Sequence, residues 1–277
     1  MTNDAAARQL TREVRVAGAG IAVNEWGEGP PVLLLHGNPD SGMMWEGIAS
    51  RLGTRFRCVA PDLPGFGHSQ VPFGYQPSLD GMAQFVEQFL LAADLERPLD
   101  VIAHDFGGPF TFAWAIKHPA AVRRIVAINT AFFSDYRWHF WARVWRTPVL
   151  GELSMAVMNR PMFERELRRA SGQRLPAQHL ERTWALMTPR MKKEVLRLYR
   201  ATGAENFNDW ENSFLALTAA RPTLVIWGDK DPYISPRFAE RFGARKVVHL
   251  PEAGHWALVE APAECADAIL RFLADAA

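Results

Sequence analysis

The sequence predicts an α/β protein, a mostly parallel and doubly wound sheet interrupted by an all-helical insertion. Three observations predict it. Strand-like apolar runs alternate with helix-like amphipathic stretches over the first half of the chain. Those runs are nearly uninterrupted in apolar residues, as strands covered on both faces are. The alternation stops between about residues 131 and 218 and then resumes. With 277 residues, 48% hydrophobic and 22% charged, the chain can bury a large core and carry an insertion.

The elements follow in order. Residues 13–16 and 21–26 read as an opening hairpin around Gly18-Ala19-Gly20, and 31–35 as a buried strand. A helix near 43–52, a strand at 56–60, a helix at 79–93, a strand at 99–103, a helix at 109–118 and a strand at 122–128 come next. Between 131 and 218, Trp138, Trp141, Trp145, Trp184 and Trp210 lie in helical stretches rich in Arg, Leu and Met, punctuated by Pro148, Pro161, Pro176 and Pro189. Strands at 222–227 and 246–250 and an amphipathic helix at 262–274 close the chain. The expected division is a core of residues 1–130 and 219–277 and a helical cap of residues 131–218. The cap's aromatic face would lie over the strand ends, where such sheets bind ligands.

Composition narrows the function. Thirty-one basic against thirty acidic residues give a net charge of +1, so no charge excess points to nucleic acid or to an anionic membrane. No apolar run approaches the about eighteen residues of a transmembrane helix, and residues 1–11 hold no signal-peptide pattern. A cytoplasmic protein is expected. Cys58 and Cys265 have neither metal nor disulfide spacing and read as buried thiols. No cofactor and no metal is expected.

Chemistry concentrates at Ala103-His104-Asp105-Phe106-Gly107, between a predicted strand and a predicted helix. Small residues two before and two after Asp105 allow the sharp turn of a nucleophile elbow, which lifts the central side chain to the end of the sheet. A carboxylate there, attacking a saturated electrophilic carbon, gives an ester that water can later split. The substrate should therefore present an sp3 carbon with a leaving group or a strained ring. An isolated Asp in this place would read as a helix cap. Asp231 and His255, each just after a predicted strand, complete the order nucleophile, acid, histidine. The acid would orient the imidazole, and the imidazole would activate water. Asp229 is the alternative acid. In His36-Gly37-Asn38-Pro39, the backbone N–H of Asn38 could join that of Phe106 in stabilising an oxyanion. His36 and His104 read as structural, hydrogen-bonded beneath the site.

These segments, with Asp62-Leu63-Pro64-Gly65-Phe66-Gly67-His68-Ser69 and Gly254-His255, resemble the α/β-hydrolase superfamily over nearly the whole chain. Within it the chain is similar to the aspartate-nucleophile branch of epoxide hydrolases, haloalkane dehalogenases and fluoroacetate dehalogenases. The epoxide hydrolase resemblance implies that Tyr199, in Leu198-Tyr199-Arg200-Ala201, protonates the opening epoxide oxygen, with His139 or Tyr136 as a second cap donor. The dehalogenase resemblance implies that the amide of Asn38 holds halide. Dehalogenases carry tryptophan after the nucleophile, and here that residue is Phe106, which epoxide hydrolases tolerate. Fluoroacetate dehalogenases fit least, because Phe106 and Pro109 stand where their substrate-gripping arginines lie.

The expected function is an epoxide hydrolase acting on a small apolar epoxide and water. The alternative is a haloalkane dehalogenase acting on a halogenated substrate, and the remote alternative is a non-catalytic ligand sensor. The cap tryptophans read as packing, and Arg165, Arg168 and Arg169 as a solvated helix face.

Overall fold

The computed structural model describes residue 7, residues 9–172 and residues 175–274. The reading of residues 1–11 as lacking a signal peptide falls largely outside them. One eight-stranded sheet has the order β1-β2-β4-β3-β5-β6-β7-β8. Its strands are β1 (Gln9–Val16), β2 (Ala19–Trp26), β3 (Pro31–Leu35), β4 (Arg57–Pro61), β5 (Leu99–His104), β6 (Val122–Ile128), β7 (Thr223–Gly228) and β8 (Lys246–Leu250). β1 and β2 pair antiparallel, as do β2 and β4, and every other pairing is parallel. The central strands are mostly apolar and largely buried, with Asp100 in β5 and Arg124 in β6 as buried exceptions, because helices cover the sheet: α1 (Glu46–Leu52) packs on the C-terminal helix Pro262–Ala274, and α2 (Leu79–Ala92) on α3 (Gly107–Lys117).

The opening hairpin differs from the sequence reading. Its turn is only Ala17-Gly18, with φ of 45° and 80°, while Ala19 and Gly20 are in the strand opposite Val16 and Arg15. A two-residue hairpin turn needs positive φ at its centre, and Gly18 supplies it without strain. β1 also starts earlier than expected, at Gln9.

Between β6 and β7 the chain forms α4 (Phe140–Arg146), α5 (Leu150–Val157), α6 (Arg160–Arg169), α7 (Ala177–Leu186), α8 (Pro189–Ala201) and α9 (Asn208–Ala220). Ser, Thr and Asn caps start several helices: Ser78 accepts from Gly81 N at α2, and Thr188 from Met191 N at α8. Both cysteine thiols are buried, and burial pushes each pKa up to about 12. No helix among the described residues is long and apolar enough to cross a membrane.

Candidate active site

Asp105 stands between the end of β5 and the start of α3, with φ of 48°. A non-glycine residue in the left-handed region is strained and persists only where its surroundings hold it. Here the hold is close packing. A Cβ on Gly107 would strike the carbonyl oxygen of Leu35, and one on Gly37 would strike the Asp105 carboxylate. The carboxylate accepts the backbone N–H of Asn38 at Oδ1 (2.8 Å), and the N–H of Phe106 bonds it too. The two donors expected to hold an oxyanion therefore already face the carboxyl group.

Asp231 follows β7, with Oδ1 accepting the N–H groups of Tyr233 (2.8 Å) and Ile234 (3.0 Å). Its Oδ2 accepts from His255 Nδ1 at 2.8 Å and from the Asn129 amide at 2.9 Å. Four hydrogen bonds fix one carboxylate against one imidazole. Asp229 faces elsewhere and pairs with His249 Nδ1 at 2.6 Å. Nε2 of His255 points at Asp105 Oδ2 across 3.8 Å. That is too long for a direct hydrogen bond and short enough for one water to bridge.

The neighbouring histidines act as props. His104 Nε2 donates to the His255 carbonyl (2.9 Å), and His36 Nε2 accepts from Leu63 N (2.8 Å) while its Nδ1 donates to the Gly37 carbonyl. Burial lowers the pKa of both, keeping them neutral. At Asp105, burial raises the carboxyl pKa against the pull of His255 and the two N–H donors. At His255, burial works to lower the pKa, but Asp231 and then Asp105 more than offset it, and the net shift is upward.

A largely apolar cavity opens over these groups, and Asn38, Tyr136, Trp138, His139, Tyr199 and Tyr233 line it with Asp105 and His255. Its three tyrosines are engaged differently. Tyr136 donates to the Tyr233 carbonyl (3.2 Å), and Tyr233 donates to Glu166 (2.9 Å). The Tyr199 hydroxyl has only one hydrogen bond among the described residues, accepted from the Asn38 amide at a long 3.4 Å. Burial first, then the Asp105 charge, pushes the Tyr199 pKa well up, so the phenol keeps its proton. His139 caps α4 by accepting the Ala142 N–H at Nδ1 (3.3 Å), which leaves the ring proton on Nε2. Burial brings its pKa down to about 4, so the ring is neutral.

Sequence reasoning missed Asn129, Tyr233 and Glu166. Asn129 has φ of 38° and braces both Gly228 N (2.9 Å) and Asp231. Its signal was an Asn directly after an apolar strand. Glu166 turns inward to Tyr233 and Trp141 and also pairs with Arg169, which itself stays exposed as the solvated-face reading expects. Trp138, Trp141 and Trp145 line the cavity, and the indole N–H groups of Trp138 and Trp145 are buried without a partner among the described residues. Trp184 packs on Phe163, as the packing reading expects. Among the described residues no group of three or more His, Cys, Asp or Glu side chains could hold a metal ion.

A carboxylate, a histidine and a second acid converge at the C-terminal ends of parallel strands, and a model of the α/β hydrolase fold matches residues 30–262. The chain belongs to the α/β-hydrolase fold family. This α/β hydrolase is 31% identical, over 88% of each chain, to haloalkane dehalogenase 2 of Mycobacterium tuberculosis. It is 28% identical to cis-3-alkyl-4-alkyloxetan-2-one decarboxylase of Xanthomonas campestris, covering 92% of this chain and 93% of that one. Among solved structures, a Pseudomonas aeruginosa protein proposed to be an epoxide hydrolase superposes with a TM-score of 0.81 at 25% identity, covering 97% of this chain and 95% of that one. A loop variant of a Bradyrhizobium elkanii haloalkane dehalogenase, with TM-score 0.80, 24% identity and 97% of both chains covered, shares the fold.

Proposed function

We propose that this α/β hydrolase opens epoxides through an ester on Asp105, beneath a cap formed by residues 131–218. Oδ2 of Asp105 attacks a ring carbon, the carbon–oxygen bond breaks, and Tyr199 gives its proton to the leaving oxygen. His255, oriented by Asp231, then takes a proton from water, and the hydroxide adds to the ester carbonyl. The N–H groups of Asn38 and Phe106 hold the oxyanion. When the ester collapses, the departing diol oxygen takes the proton from His255. The proton of the regenerated Asp105 carboxyl restores Tyr199.

The observation that carries this reading is Tyr199, a buried and protonated phenol held by one long contact, while Tyr136 is committed to a backbone carbonyl. His139 supports it as second donor, because its free Nε2–H lies in the same cavity. The test is a side-by-side assay of styrene-type epoxides and bromoalkanes, with diol formation dominant if the reading holds. Two observations favour a second reading, haloalkane dehalogenase. The indole N–H groups of Trp138 and Trp145 are buried without a partner among the described residues, on side chains that line the cavity beside Asn38 and would be suited to a departing halide, and a 31% identical relative bears that name. Brisk bromide release with no diol formation would establish it instead.

A further inference from the structure

Among the described residues, nine large hydrophobic side chains are exposed, and six of them lie between residues 140 and 162: Phe140, Val149, Leu150, Leu153, Val157 and Met162. Leu150, Leu153 and Val157 occupy positions i, i+3 and i+7 of α5, one face of the helix, while its buried Gly151 and Met155 face inward. The helix is fixed in this pose. Glu152 accepts Arg200 at 2.7 and 2.8 Å and also the N–H of Val149, a β-branched residue held at a φ of 71°. Such a backbone conformation is costly for valine and persists only because its surroundings impose it. The apolar face continues inward, since Val157 and Met162 also line the catalytic cavity.

Charge is uneven in the same place. Residues 137–169 hold seven arginines and three glutamates, a local +4 in a chain whose net charge is +1. The whole-chain balance hides this concentration. Arg143 lies one turn beyond Phe140 on α4, and Arg165 one turn beyond Met162 on α6; both are exposed, and neither makes an ion pair among the described residues. An exposed apolar helix face with exposed arginines on the helices before and after it has the composition of an interfacial binding element. A second copy of this chain would set like charges against each other, whereas an anionic lipid headgroup layer complements them.

We propose that this face of the helical insertion docks on an anionic lipid surface, so that the cavity mouth meets the layer in which an apolar substrate dissolves. The test is sedimentation of the full chain with phosphatidylglycerol vesicles and, separately, with phosphatidylcholine vesicles. Binding to phosphatidylglycerol that weakens as salt is raised is expected, with much weaker binding to phosphatidylcholine. The double variant Leu150→Glu, Leu153→Glu should lose more than about tenfold in partitioning. Arg143→Gln and Arg165→Gln should each lose on the order of fivefold. None of these residues lines the cavity, so turnover of a short water-soluble epoxide should stay at the parent rate in every variant. The proposal is overturned by absent binding to phosphatidylglycerol, by equal binding to both lipids, or by undiminished binding of the double variant. A dimer dispersed by the double variant in the absence of vesicle binding would overturn it too and assign the face to self-association. Vesicle binding is measured without turnover, so its failure would leave the epoxide reading standing.

Discussion

Nε2 of His255 stands 3.8 Å from Oδ2 of Asp105, while Nδ1 of the same ring is 2.8 Å from Asp231. In the proposed mechanism this spacing separates two tasks. A carboxylate needs no base to become a nucleophile, so the histidine is free to serve the water that follows.

The first step should therefore survive loss of the histidine. His255→Gln is expected to react once with an epoxide and then stall, leaving a substrate-sized adduct on the Asp105 peptide in mass analysis. Parent-level multiple turnover by this variant would remove His255 from the hydrolytic step.

The two aspartates near β7 should differ sharply. Asp231→Asn disturbs the imidazole that Asp231 orients, and turnover should fall by roughly two orders of magnitude or more. Asp229→Asn breaks only the contact with His249 and should stay within a few-fold of the parent. Equal losses in steady-state assays would move the acid role to Asp229.

The pH profile follows from the same pair. Water activation needs a neutral imidazole, and the pKa of His255 is raised above its ordinary value of 6.5. Turnover should fall as pH drops through a value above 6.5 and recover on the alkaline side. In Asp231→Asn the leading upward influence is gone while burial remains, so the residual activity should keep its acid limb at lower pH. A limb that stays in place would show that another group sets it.

The cavity donors can be separated by leaving group. Tyr199→Phe should slow epoxide opening on the order of a hundredfold, because an alkoxide needs a proton and the buried phenol holds one. Tyr136→Phe should have a small effect, since that hydroxyl is bound to the Tyr233 carbonyl. For bromoalkanes the order reverses: Asn38→Ala, Trp138→Phe and Trp145→Phe should matter more than Tyr199→Phe, and Phe106→Trp should raise any weak bromide release. Pre-steady-state rates with both substrate types distinguish these outcomes.

Much of the core was legible because its constraints are local. The elbow at residues 103–107 needs small neighbours, and strands covered on both faces are mostly apolar, so both leave marks in one stretch of chain. The opening turn was misjudged because Gly20 belongs to β2, where it pairs with Arg15, and composition alone cannot tell a strand glycine from a turn glycine. Glu166 and Tyr233 went unseen for another reason. Their 2.9 Å hydrogen bond joins positions 67 residues apart, and an Arg-rich helix hides one inward carboxylate among its solvated charges.

The central claim, an ester on Asp105, is tested most directly by a single turnover in oxygen-18 water with enzyme in excess over epoxide. Attack by Asp105 sends one of its own carboxylate oxygens into the diol and takes the replacement from water. The account predicts an unlabelled first-turnover diol and an Asp105 peptide carrying the heavy oxygen. A labelled diol from that first turnover, with Asp105 left unlabelled, would mean that water attacks the substrate directly and would contradict the account.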